Sequence, residues 1–130
     1  MANLINWLEI PVSDMNRAKT FYERVLPATV EINDQMSPGT KMGFIHTPGM
    51  ELKDVGGALV EGEGYTPGSG NTLVYFNGNE SGGCTAFLKR VEEAGGTVLT
   101  PAFQITEEIG YCGFFKDSEG NKLAVHSMKG

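Results

Sequence analysis

The sequence predicts an α+β domain built from two βαβββ halves. Three observations carry that expectation. Residues 7–26 (WLEIPVSDMNRAKTFYERVL) begin with apolar residues at period two and end with them at spacings of three and four, so a strand runs into an amphipathic helix. The order strand, helix, strand, strand, strand then recurs from residue 71. Between the two runs lies EGEGYTPGSG, residues 61–70, a glycine-rich connector without periodicity. The expected organisation is one domain over 1–130, with a first module at 1–60, the connector at 61–70 and a second module at 71–130.

In the first strand Leu8, Ile10 and Val12 alternate with Trp7, Glu9 and Pro11. In the helix Met15, Ala18, Phe21, Tyr22 and Val25 share one face. Ser13 is the expected N-cap, and Asp14 would then lie in the first turn, where the helix dipole favours an anion. Pro27 stops the helix. Residues 28–33 (ATVEIN) read as a strand, 34–39 (DQMSPG) as a turn, and 40–47 (TKMGFIHT) as a strand with Met42, Phe44 and His46 on one side. A loop over 48–54 leads into a short apolar strand, 55–60 (VGGALV).

The connector is not a phosphate-cradling loop, because no Lys-Ser/Thr follows and no strand leads through it into a helix. Residues 71–77 (NTLVYFN) read as a strand. Residues 81–94 read as a helix whose stripe is Cys84, Phe87, Leu88 and Val91, stopped by Gly95-Gly96. Pro101 inside the strand 97–105 marks an edge or a bulge. The strand 110–116 (GYCGFFK), a tight turn with Gly120 at the position that needs positive φ, and the strand 122–128 (KLAVHSM) complete the chain. One helix covers only one face of a four-stranded sheet, so the opposite faces need another cover or must enclose a cavity.

Composition narrows the function classes. A net charge of −6, with ten Lys and Arg and no run of them, argues against a nucleic-acid or anionic membrane surface. No apolar stretch is long enough to span a bilayer, and no signal peptide precedes the first strand, so the expected location is cytoplasmic. Cys84 and Cys112 are too few for a disulfide framework and too far apart for CxxC, and read as buried thiols. No GxSxG, Cys-His neighbour pair or nucleotide loop offers a chemistry.

The run Glu9-Ile10-Pro11-Val12 with Asp14, followed by Arg17-Ala18, Phe21-Tyr22 and Val25-Leu26, marks the first half. Ala94-Gly95-Gly96 with its following strand, then Phe115, Asp117 and Glu119-Gly120-Asn121, mark the second. With these residues the chain resembles the vicinal oxygen chelate superfamily, which includes lactoylglutathione lyase, bleomycin-resistance proteins and extradiol dioxygenases. The resemblance implies a glyoxalase-like fold of curved mixed sheets around a cleft, and a homodimer. Metal-dependent members take ligands from the first and last strand of each module. The corresponding places here hold Trp7, a residue within 55–60, Leu73 or its neighbour, and Ala124. An indole N–H only donates and cannot replace an imidazole as a ligand. The resemblance therefore implies a divergent member without a metal or other cofactor, whose partner is a small organic molecule.

By alternation the cavity faces are Trp7 and Glu9, Gly57 and Leu59 or their neighbours, Leu73, Tyr75 and Asn77, and Ala124 and His126. Glu9 and His126 are the candidate acid–base groups, with Glu9 either paired, to His126 or a backbone amide, or solvated in the cleft. Trp7, Leu73, Tyr75, Asn77 and Ala124 are the candidate ligand contacts. Each has a structural reading beside the functional one: Trp7 either plugs the space of a lost metal or stacks on a guest, and Tyr75 either packs the sheet or touches ligand. His46 reads as a surface or sheet-packing residue. The rivals are a metal-dependent lyase, isomerase or dioxygenase with shifted ligands such as Glu9, Glu61 and His126, a metal-free acid–base enzyme using Glu9 and His126, and a drug-sequestering resistance protein.

Overall fold

The computed structural model describes residues 5, 7–51, 54–70 and 72–130. Two four-stranded sheets, each with one helix, form two βαβββ modules. The first holds β1 (Trp7–Pro11), α1 (Met15–Val25), β2 (Thr29–Ser37), β3 (Thr40–His46) and β4 (Gly56–Gly62). The second holds β5 (Tyr75–Asn77), α2 (Cys84–Glu93), β6 (Thr97–Thr106), β7 (Gly110–Lys116) and β8 (Lys122–Ser127). Their strand orders match, β1-β4-β3-β2 and β5-β8-β7-β6, with the first two strands of each order parallel and the others antiparallel.

Local chemistry shifts several expected boundaries. Asp14, not Ser13, caps α1: its Oδ1 accepts from Arg17 N–H at 3.0 Å. The free N–H of Met15 donates to Glu61 Oε1 at 2.8 Å, so the end of β4 also serves the helix start. Helix α2 begins at Cys84, three residues later than expected, behind Gly83 at φ 97°. Strand β5 is shorter than 71–77. Its first regular residue is Tyr75, and Asn71 lies outside the described residues. Pro101 sits on the edge strand β6 where the pairing with β7 slips, as its missing N–H requires. Gly120 has the expected positive φ, 86°.

The apolar faces of both helices meet in one core. Met15, Ala18, Phe21, Tyr22 and Val25 pack with Ile10, Val12 and Leu59, and join Phe87, Val91, Phe115 and Val125 of the second module. Aromatic rings run through the junction: Tyr22 to Phe76 at 6.0 Å, Phe76 to Phe87 at 6.3 Å, and Phe87 to Phe115 at 5.8 Å. Gly96 lets the layers close. A Cβ there would meet Lys116 O at 2.6 Å, Val91 Cγ1 at 2.7 Å and Phe21 Cε1 at 2.9 Å.

The turn between β7 and β8 is tied to the start of α1. The Asp117 carboxyl is buried and accepts from Tyr22 O–H at 2.7 Å and from Asn121 Nδ2 at 2.9 Å. It also takes the N–H groups of Glu119 and Asn121, and Asn121 Nδ2 donates onward to the Pro11 carbonyl at 2.8 Å. Burial, and then the neighbouring Asp117, push the Tyr22 phenol well above its usual range, so it keeps its proton. Glu119, its side chain shut away from solvent, takes Arg17 Nε at 2.7 Å and the N–H groups of Ser13 and Asp14, both at 3.0 Å. Burial raises the Glu119 carboxyl. The hydrogen bonds from Arg17, Ser118, Asp14 and Ser13 outweigh it and hold the group at about 2.

Two predictions follow from this tie. Tyr22→Phe keeps the ring packing but leaves Asp117 short of a donor, and should lower unfolding free energy by about 1–3 kcal/mol in urea titration. The Glu119 pKa is depressed on folding, so its contribution is complete above the unfolded value near 4.5 and is lost as pH falls toward about 2. Discounted for the half-exposed Arg17, that contribution is about 1–2 kcal/mol. Glu119→Gln should flatten the wild-type fall in stability between these two pH values, measured by denaturation at stepped pH.

Candidate functional site

Each helix covers one face of its sheet and leaves the other open. The pairing registers assign the open face of the first sheet: Trp7 and Glu9 on β1, Gly56, Ala58 and Val60 on β4, and Met42, Phe44 and His46 on β3. Gly57 and Leu59, named from the sequence together with their neighbours, face the core, and the neighbours line the open side. On the second sheet Tyr75, Asn77, Lys122, Ala124, His126 and Phe114 share the open face. Among the described elements only α1 and α2 bring the two modules' backbones together, so the sheets do not close on each other.

Glu9 and Trp7 act as a unit. Trp7 Nε1–H donates to Glu9 Oε2 at 3.3 Å, and Tyr65 O–H donates to Glu9 Oε1 at 3.0 Å. Glu9 is exposed rather than buried. Of the alternatives for Glu9, the solvated one matches its exposure, and within one chain it does not meet His126. His126 lies on the other sheet, with Nε2 2.6 Å from the Ile109 carbonyl. A carbonyl only accepts, so Nε2 carries the proton and the imidazole anchors the turn before β7.

The other candidates separate by position. Tyr75 is half exposed, its ring 6.0 Å edge-on from Phe114, and the two flank the fully buried Ala124. Asn77 Oδ1 accepts from the N–H and Nδ2 of Asn79, so its amide closes the turn after β5. Leu73 precedes β5 and is not on a strand as expected. Within one chain, then, Trp7 and Glu9 form one group and Tyr75, Asn77, Ala124 and His126 another.

Two clefts accompany these groups. One, of about 410 Å³, is lined by Trp7, Phe44, His46, Met50, Asp54 and Gly56 among others. The other, of about 380 Å³, runs along the seam of the modules past Glu9, Pro11, Val74 and Lys122, beneath the connector residues Thr66 and Ser69. The connector is strapped over the seam: Gly68 N–H donates to Asn121 Oδ1 at 2.9 Å, and Tyr65 reaches Glu9. Tyr65 and the strap escaped sequence reasoning, because nothing periodic marks a connector that folds back. Phe44 was within reach, since alternation already placed it beside His46.

The residues do not fit a divalent metal. The open-face positions of β1, β4, β5 and β8 offer Glu9 on one sheet and Tyr75, Asn77 and His126 on the other as lone-pair donors, and no more than one of these is a carboxylate. Glu61, a rival ligand, points to the other face and serves Met15 N–H. Among the described residues no three His, Cys, Asp or Glu side chains cluster as ligands would. Both thiols are buried, and burial raises the pKa of each.

A family model, the Glyoxalase/Bleomycin resistance protein/Dioxygenase superfamily, matches residues 4–125. A glyoxylase/bleomycin resistance protein/dioxygenase domain from Frankia sp. EAN1pec superposes with TM-score 0.74 at 16% identity, covering 98% of both chains. The trypanothione-dependent glyoxalase I of Leishmania major gives 0.69 at 13% identity, covering 98% of this chain and 88% of that one. A genomically encoded fosfomycin resistance protein from Listeria monocytogenes gives 0.64 at 16% identity, covering 98% and 91%. At these identities the structures establish the fold alone. No curated protein matches the sequence.

The strap yields a prediction. Tyr65→Phe removes the donor to Glu9, and hydrogen exchange should then speed up at the Gly68 amide while amides of α1 and α2 keep their protection.

Proposed function

Because the chain belongs to the glyoxalase/bleomycin resistance protein/dioxygenase superfamily, we propose that it binds a small organic molecule on its open sheet faces, without a metal ion and as a homodimer. The observation that carries this reading is the Trp7–Phe44 corner in its cleft, with Glu9 of the adjoining cleft bonded to the indole, at sheet positions whose neighbours supply too few donors for an ion. An apolar wall with a few polar handles suits a carbon-rich guest.

The dimer is supported by what the open faces leave uncovered. Trp7 and Tyr75 are 44% and 50% exposed, one on each sheet. The first face carries Glu9 and Glu31, and the second carries Lys116 and Lys122. A second copy laying its second-module face on the first-module face of its partner would bury the aromatics and match the charges. It would also bring Glu9 of one copy toward the Ala124 wall of the other. Two buried thiols not bonded to each other fit a reducing compartment, and we place the protein in the cytosol. No helix among the described residues is long and apolar enough to cross a membrane.

Light scattering at micromolar concentration should give twice the 14.0 kDa chain mass, and a sharp monomer peak would refute the dimer. A thermal-shift screen of metabolites on chelator-treated protein should return at least one organic molecule that raises Tm. Stabilisation only after zinc, nickel, iron or manganese is restored would refute the metal-free reading.

A further inference from the structure

Trp7 is the one tryptophan of the chain, and nearly half of it faces solvent. Its indole is nonetheless fixed. Ring carbons Cζ3 and Cε3 lie where a Cβ on Gly56 would be 3.1 and 3.3 Å away, so the ring lies flat on β4 over a glycine, and a side chain there would crowd it. The indole N–H is directed at Glu9, and Tyr65 holds Glu9 from its other oxygen. Phe44 stands 6.2 Å away at a tilt of 54°, so the two rings form a corner rather than a stack. Asp54 lies along the same cleft, and Glu9, bonded to the indole edge, lines the neighbouring seam cleft together with Lys122.

An immobilised, solvent-facing aromatic corner beside a carboxylate is suited to one class of guest. A bare metal ion needs lone pairs that rings do not have. An ammonium whose charge is spread over methyl groups needs none: it sheds water easily and is drawn to the negative faces of aromatic rings. The indole N–H bonded to a carboxylate makes its ring richer in electrons, which strengthens that attraction. Deepening the small-molecule reading above, on which it rests, we propose that this corner binds a small organic cation, with a quaternary or substituted ammonium seated on Trp7 and Phe44 beside Glu9.

The single tryptophan makes the test direct. Choline should change the intrinsic fluorescence of the whole protein saturably. Dimethylbutanol, its uncharged isostere with carbon in place of nitrogen, should bind at least about tenfold more weakly. Glu9→Gln should weaken choline about fivefold, the size of one exposed charge contact. Gly56→Val, which pushes the indole off its seat, and Trp7→Leu should abolish binding, read by loss of broadening of the choline N-methyl proton signal. These side chains lie outside the core, so an unchanged Tm shows that each variant is folded. Equal binding of the neutral isostere would overturn the cation assignment and leave the cleft as a small-molecule site. Absence of any saturable response to choline would also overturn it. Only an empty thermal-shift screen as well would remove the broader reading.

Discussion

The buried carboxyl of Asp117 is the point on which the arrangement of the two modules turns. It collects the phenol of Tyr22, the amide of Asn121 and two backbone N–H groups in a space that water does not reach. A buried acidic group is tolerated only when its oxygens are satisfied, and here one donor comes from the first module and three from the second. Asn121 passes the link to the end of β1. Glu119, two residues along the same turn, gathers the N–H groups that precede α1. One five-residue turn thus sets where the first strand and first helix stand against the second sheet.

That tie determines what the molecule leaves open. Because α1 and α2 meet at the junction, the shared core lies on the helix side of both sheets. The opposite faces keep large aromatics in solvent, which is unusual for a domain with an otherwise complete core. The clefts lie on those faces and along the seam beneath the strap.

The acidic residues divide in the same way. Asp14, Glu61, Asp117 and Glu119 are spent on helix starts and on the turn, where N–H groups would otherwise lack partners. Glu9 instead meets two neutral donors in an exposed cleft, and neither cancels its charge. The proposed cation seat rests on that carboxylate beside two rings, within the small-molecule reading that family membership supports.

The sequence by itself determined the element order, the helix stripes, the βαβββ repeat and the sheet faces, because periodicity and glycine or proline punctuation are local. It identified Trp7 and Glu9 as facing away from the core for the same reason. It missed the cap at Asp14, since Ser13 and Asp14 are chemically equal candidates and only the Arg17 N–H decides between them. It misplaced Leu73 because a connector held by Asn121 and Glu9 delays the strand. It left open whether Glu9 meets His126, a backbone amide or water, because alternation orders side chains within one sheet and is silent about the distance between two. Only the tertiary structure decided that separation, the roles of Glu61 and Tyr65, and the corner of Trp7 and Phe44. All of these depend on contacts between residues far apart in the chain, which no local pattern encodes.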